Sequence, residues 1–422
     1  MSQVSTSCIL LPPLRAITDC GDDRSLMSLA DDQLASDATV PPHGGVLVDC
    51  TTPPAQMVEV TRLAEEGLRI PVDRFTAMDV LNIAIGAYSP MRGFMGKEDY
   101  QSVIGTGKLA RGLTWTVPIL LHVPGGIASK LRIRGRLTLV DTEAEPFAVI
   151  DVESVFEINK GEYSRAVFGT DDTAHPGVDR LSALPNTCVG GALTLLREPE
   201  LENRQYFFRP RETRKLFAER EWKTVAAFHT RNVPHRAHEY LQKLALEYTD
   251  GLFVHPIVGW KKAGDFSQRA QFETYEALFE HYYPRDRVLL GGFYCQVRYA
   301  GPREAVFHAI VRQNFGCSHI IIGRDHAGVG RFYGVYDAHR AFDDIRDLKI
   351  TALRFAGPFY CGRCNAIVTE RTCPHSDGDI SDISGTLVRK HVMNREKVPE
   401  YLLRPEVLDV LERLATEEAF VK

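Results

Sequence analysis

Hydrophobic and polar positions fall into two textures along the chain, and the change lies near Glu212. Beyond it, short apolar runs alternate with helical periodicity. Lys223-Thr-Val-Ala-Ala-Phe-His reads as a strand, after which Ala237, Tyr240, Leu241, Leu244, Ala245 and Tyr248 recur on one helix face. Leu252-Phe-Val-His-Pro-Ile-Val is the next strand. A helix near 269–281, a strand at Arg287-Val-Leu-Leu, a helix around 304–314 and a strand at His319-Ile-Ile-Ile-Gly follow. Such alternation predicts an α/β fold with a doubly wound parallel sheet, whose ligands sit beyond the carboxyl ends of the strands. The chemistry is therefore expected in the turns after Phe228, Ile257 and Ile322.

Before Glu212 the pattern is strand-rich. Thr114-Trp-Thr-Val-Pro-Ile-Leu-Leu-His-Val, Leu131-Arg-Ile-Arg-Gly-Arg-Leu-Thr-Leu-Val and Phe147-Ala-Val-Ile-Asp-Val are separated by Gly and Asp turns. The alternation in the second run suits a half-buried strand. Four regions result: an arm over 1–42 without apolar periodicity, a β-rich, barrel-like domain over 43–210, an α/β domain over 211–355, and a Cys-rich tail over 356–422.

Composition narrows the functional classes. With 422 residues, 44% hydrophobic and 25% charged, the chain is long enough for two or three ordinary globular domains. No apolar run approaches the roughly 18 residues of a membrane span. The acidic Asp19, Asp22 and Asp23 do not suit a leader, so the cytoplasm is the expected location. Fifty basic residues against 55 acidic ones give a net charge of −5, which argues against nucleic acid as a partner. Any anion must then be met by a local cluster. The nine cysteines, odd in number and mostly scattered, indicate a reducing compartment.

The first strand-end turn reads His229-Thr-Arg-Asn-Val-Pro-His-Arg-Ala-His-Glu. Asn232 is the expected helix cap, with Pro234 in the first turn, so the positive helix end faces the strand end, where a phosphate binds naturally. His235 and His238, three apart, share a helix face and suit the oxygens of a phosphate; the metalloprotease spacing is absent. The third turn, Gly323-Arg-Asp-His-Ala-Gly-Val-Gly, allows close backbone approach and supplies Arg324, Asp325 and His326. Between them lies Arg298-Tyr-Ala-Gly-Pro-Arg-Glu, with His308 a turn further on. Arg231, Arg298, Arg303 and Arg324 are candidates to converge on one anion-rich substrate, Arg303 being also placed to pair with Glu304. In the tail, Cys361-Gly-Arg-Cys364 and Cys373-Pro-His375 have zinc-knuckle spacing, with His375, Asp377 and the distant His391 open as fourth ligand. Free thiols are the alternative.

These three long stretches, the Arg298 motif taken from Val297 to Ala305, resemble the signatures of the ATP sulfurylases, or sulfate adenylyltransferases. Pro42-His-Gly-Gly, Gly86-Ala-Tyr-Ser-Pro-Met-Arg-Gly-Phe-Met and Ile383-Ser-Gly-Thr-Leu-Val-Arg resemble further landmarks, so the likeness runs from about Pro41 to the end. It implies a pseudouridine-synthase-like (PUA-like) domain, then a nucleotidyltransferase-type domain and a zinc knuckle. The implied reaction joins ATP and sulfate into adenylyl sulfate (APS) and pyrophosphate, with Mg²⁺ accompanying the nucleotide, in a homo-oligomer. By position, His229, Arg231 and the Ala327 backbone would hold sulfate. Thr230 and Asn232 would contact the nucleotide phosphates, and His235 and His238 would stabilise the α-phosphate. Gly323, Arg324, Asp325 and His326 would line the nucleotide pocket, with Val368 at the adenine. Cys361, Cys364, Cys373 and His375 would hold a structural Zn²⁺. His229 departs from the Gln usual in that family, so sulfate affinity is expected to depend more on pH. No Walker-type phosphate loop accompanies these motifs, as a fused APS kinase would require. A regulatory family member with impaired catalysis, or an RNA-binding PUA-like protein, are the competing expectations.

Overall fold

The structure is a computed structural model that describes residues 40–65, 67–259, 264–375, 377–414 and 418–421. Most of the arm placed over 1–42 lies outside the described residues.

The N-terminal half is built on a six-stranded sheet, in the order Leu68–Pro71, Arg136–Val140, Pro146–Glu157, Thr187–Leu195 and Gly93–Phe94, with Leu121–His122 also paired to Thr187–Leu195. Its first pair is parallel and the others are antiparallel. The strand expected from Leu131 begins only at Arg136, because Arg134 adopts a left-handed φ of 67° that turns the chain. Nor is that strand half-buried. The helix Met57–Glu65 lies against it, and Thr138 bonds the Ala64 carbonyl at 2.8 Å. The 114–123 run likewise contributes only Leu121–His122, since Pro118 cannot donate to a ladder. Thr114 instead reaches across the molecule, its amide and hydroxyl bonding Asp347 at 2.7 and 2.6 Å.

The second half carries five strands, β1 (Val225–Phe228), β2 (Gly251–Val254), β3 (Val288–Leu290), β4 (His319–Ile322) and β5 (Thr351–Arg354). All pair in parallel in the order β3-β2-β1-β4-β5. Helices α1 (Arg236–Leu246), α2 (Gln268–Tyr282) and α3 (Gly301–Asn314) cross between them. Every residue of β1 and β2 is buried, as a sheet covered on both faces requires. Strand order reverses between β1 and β4, so this is the switch point at which open α/β sheets leave a crevice.

Helix α3 is buried along nearly its whole length and joins the two halves. Asn314 donates to the Ala87 and Ser89 carbonyls at 3.0 and 2.9 Å. The tail adds a three-stranded sheet containing Ala366–Val368 and the helix α4 (Gly385–Asn394). It is pinned to α1 where Arg404 grips the buried Glu239 through two bonds of 2.9 and 2.7 Å.

Candidate active site

The turns after β1 and β4 meet at the switch point. His229, the first residue beyond β1, stacks on His308 of α3 with ring centroids 3.9 Å apart, and lies 5.4 Å from the His326 ring of the β4 turn. His308 Nδ1 and His326 Nε2 are 3.2 Å apart. Burial carries the His229 imidazole well below its usual pKa, and the nearby Arg312 and Arg231 charges act in the same direction. The expected pH dependence through a protonated His229 is therefore opposed: the ring is neutral around neutral pH.

Within the first turn Thr230 is buried, and its hydroxyl accepts the Asn232 amide at 3.1 Å. The helix cap is not Asn232 but His235, whose Nδ1 accepts the His238 amide at 3.4 Å. That bond leaves the His235 proton on Nε2. The two rings stack at 3.6 Å, and burial pushes His235 down to about 3, with His238 also held low by burial and by its neighbour. Both are neutral hydrogen-bonding groups rather than cations. Asn232 instead meets the tail: a Cβ on Gly385, at the start of α4, would lie 2.6 Å from its Cγ.

In the β4 turn, Asp325 and Ala327 take left-handed φ values of 53° and 58°, and a Cβ on Gly328 would lie 1.9 Å from Asp325 Oδ1. The glycine is what lets this turn close. The Ala327 carbonyl accepts the Gly301 amide at 3.1 Å, tying the turn to α3. Burial raises the Asp325 carboxyl, against the pull of Arg231 and Arg324. The turn after Ile257 runs into 260–263, outside the described residues.

Of the four arginines, two belong elsewhere. Arg298 is closed against Asp79, its Nη2 donating to both carboxylate oxygens at 2.7 and 2.8 Å, and Arg303 donates to the carbonyls of Val103, Thr116 and Ile104 instead of meeting Glu304. Both hold the N-terminal half in place. Arg231 lies 5.1 Å above the Tyr299 ring, and Arg324 is exposed. A cleft of about 760 Å³ is lined by Tyr299 together with Phe75, Asp79, Arg180 and Arg298 among many apolar groups. Its arginines are already paired with Asp79 and Asp73, so it suits a polyanion poorly.

The family model for ATP-sulfurylase matches residues 204–414, and that for the PUA-like domain matches 40–198. The "Sulfate adenylyltransferase" of Ignicoccus hospitalis is 45% identical over 90% of this chain and 99% of its own. That of Hyperthermus butylicus is 46% identical over 88% and 95%. The chain belongs to the ATP-sulfurylase family. A solved structure titled "Hexameric APS kinase from Thiobacillus denitrificans" superposes with a TM-score of 0.71 at 23% identity, covering 89% of this chain and 68% of that one, which shows the shared fold.

Against this ATP-sulfurylase frame, the tail brings Cys361, Cys364, Cys373 and His375 together. The Cys364 and Cys373 sulfurs are 3.8 Å apart, and His375 Nδ1 lies 3.4, 3.3 and 3.6 Å from the three sulfurs in chain order. A tetrahedral zinc, with Zn–S of about 2.3 Å and Zn–N of about 2.0 Å, separates its ligands by about 3.5 to 3.8 Å. The spacing fits. His391 is paired with Glu396 at 3.3 Å, leaving His375 as the fourth donor, and the side chain of Asp377 lies outside the described residues. Val368 sits on the neighbouring strand, which contacts α1.

Sequence patterning missed Arg312. Its signal was the spacing Glu304, His308, Arg312, four apart on one helix face. No helix of the described residues is long and apolar enough to cross a membrane.

Proposed function

We propose that the chain is a sulfate adenylyltransferase, forming APS and pyrophosphate from ATP and sulfate, on a nucleotidyltransferase-type domain. The meeting of the β1 and β4 turns at the switch point carries this reading. A sulfate oxygen attacks the α-phosphorus in line; the new S–O–P bond forms as the bond to the β-phosphate oxygen breaks, and its electron pair leaves with pyrophosphate. No residue is modified, so positioning and charge stabilisation do the work.

Arg231, His229 and the Ala327 backbone hold sulfate. Thr230 and Asn232 contact the nucleotide phosphates, and Gly323 to His326 line the pocket, with Val368 towards the adenine. His235 and His238, neutral, donate hydrogen bonds to the α-phosphate as charge builds there. Mg²⁺ bound with the triphosphate supplies further neutralisation. The Cys361, Cys364, Cys373 and His375 cluster holds a structural zinc that fixes the tail. With ¹⁸O-labelled sulfate, all of the label is expected in APS and none in pyrophosphate; label in pyrophosphate contradicts attack by sulfate at the α-phosphorus.

A further inference from the structure

Three side chains of α3 stand in a row beneath the proposed sulfate turn. Glu304, His308 and Arg312 are 1%, 1% and 0% exposed. Arg312 makes no ion pair with a carboxylate among the described residues. Its Nη2 donates to His229 Nδ1 at 2.7 Å and to the His255 carbonyl at 3.2 Å, while Nε and Nη1 have no hydrogen-bond partner among the described residues. The Phe293 ring, 4.5 Å from the guanidinium carbon, offsets part of the cost of burying this charge. A lone buried guanidinium is expensive unless something uses it.

Arginine has no lone pair and can only donate. His229 Nδ1 is therefore unprotonated, and the one proton of the neutral ring resides on Nε2. A deeper layer is fixed in the same way. The Glu304 oxygens accept the amides of Arg298 and Ala300 at 2.8 and 3.0 Å, which marks the group as an ionised acceptor. One oxygen faces His308 Nε2 at 3.6 Å. His308 thus carries its proton on Nε2, and its Nδ1 accepts from His326 Nε2 across 3.2 Å. The three imidazoles have metal-like spacing, with ligand atoms within 4.8 Å of one another. The lone pairs on His229 Nδ1 and His308 Nδ1, however, are engaged by Arg312 and by His326, beside a buried cation.

We propose that Arg312 is a positioning residue for the anion site, acting through His229: it fixes the ring proton on Nε2, so that the imidazole meets sulfate only as a hydrogen-bond donor. The proposal rests on the reading of this turn as the sulfate site. A glutamine in the same place has no tautomers and would need no such device, whereas a histidine does.

Kinetics of the full chain test it. Arg312→Met removes the donor and the charge at similar volume. The sulfate KM is expected to rise about tenfold to a hundredfold, as for loss of a charged hydrogen bond, with the ATP KM within about threefold. In a His229→Gln background the same change is expected to raise the sulfate KM less than about threefold. An equal rise in both backgrounds, or an ATP KM that moves with the sulfate KM, overturns the proposal. Should Arg312→Met not fold, ¹⁵N-histidine NMR of the unsubstituted chain decides, the His229 resonances being assigned by their loss in His229→Gln. The Nε2–H tautomer is expected from about pH 6 to pH 8, and an Nδ1–H or charged ring overturns it. No sulfate-dependent turnover in the unsubstituted chain overturns the functional reading and this proposal with it; turnover with an Nδ1–H ring overturns this proposal alone.

Discussion

Two positions show how single residues set the chemistry of the strand-end turns. His229 is kept neutral by burial and by the nearby Arg312 and Arg231 charges, so its protonation lies below the working range. His229→Gln is therefore expected to leave the pH profile of the sulfate KM unchanged between about pH 6 and pH 8, measured by steady-state kinetics. A sulfate KM that loses an inflection on this substitution would contradict the assignment. Gly385 has the opposite problem, too little space: any Cβ there strikes Asn232 at 2.6 Å. Gly385→Ala is expected to lower kcat by at least about tenfold with little change in thermal midpoint, because displacing a positioning group by ångströms is costly to rate. A kcat within twofold of the parent would separate Asn232 from the chemistry.

At the scale of elements, the tail depends on two fastenings. One is the Arg404 grip on Glu239, and the other is the cluster of Cys361, Cys364, Cys373 and His375. Cys364→Ser is expected to reduce zinc from about one equivalent to a small fraction and to lower the thermal midpoint by several degrees, read by metal analysis and melting. Because Val368 lies on the strand next to the cluster, the ATP KM should rise in the same variant. Much of this level was legible in the sequence. The strands from Lys223, Arg287 and His319 appear within a residue or two of their expected limits because a parallel sheet buried on both faces leaves continuous apolar runs, whereas the run from Leu252 to Val258 breaks at His255-Pro256 and its last two residues pair in a separate two-stranded sheet. The 131–140 run misled because its alternation continued through a left-handed turn at Arg134, which hydrophobicity does not report. The role of Arg298 was hidden for another reason: its partner, Asp79, is more than two hundred positions away. Arg312 was hidden although its spacing was local, since a buried cation is indistinguishable in sequence from an exposed one.

For the whole molecule, the density of buried histidines has a consequence for stability. His235, His238, His255, His308 and His326 are all held below the ordinary range of a histidine in the folded chain, burial being the first cause in each. The unfolded chain binds protons at these groups below about pH 6.5 while the folded chain does not, so stability falls as pH falls from there towards the folded-state values. Each such group contributes at most about 1.4 kcal/mol per pH unit. The thermal midpoint is expected to be level near pH 7 to 8 and to drop steeply from about pH 6.5 to pH 5; a flat profile there would show that these rings accept protons without unfolding. The same neutrality makes the active site one in which arginines carry the positive charge, inside a protein of net charge −5. The central claim is most directly tested by supplying APS and pyrophosphate with Mg²⁺ and measuring ATP. Formation of ATP dependent on both substrates, abolished by Arg231→Ala in a folded chain, is the expected result. No ATP from the correctly folded, unsubstituted chain would contradict it.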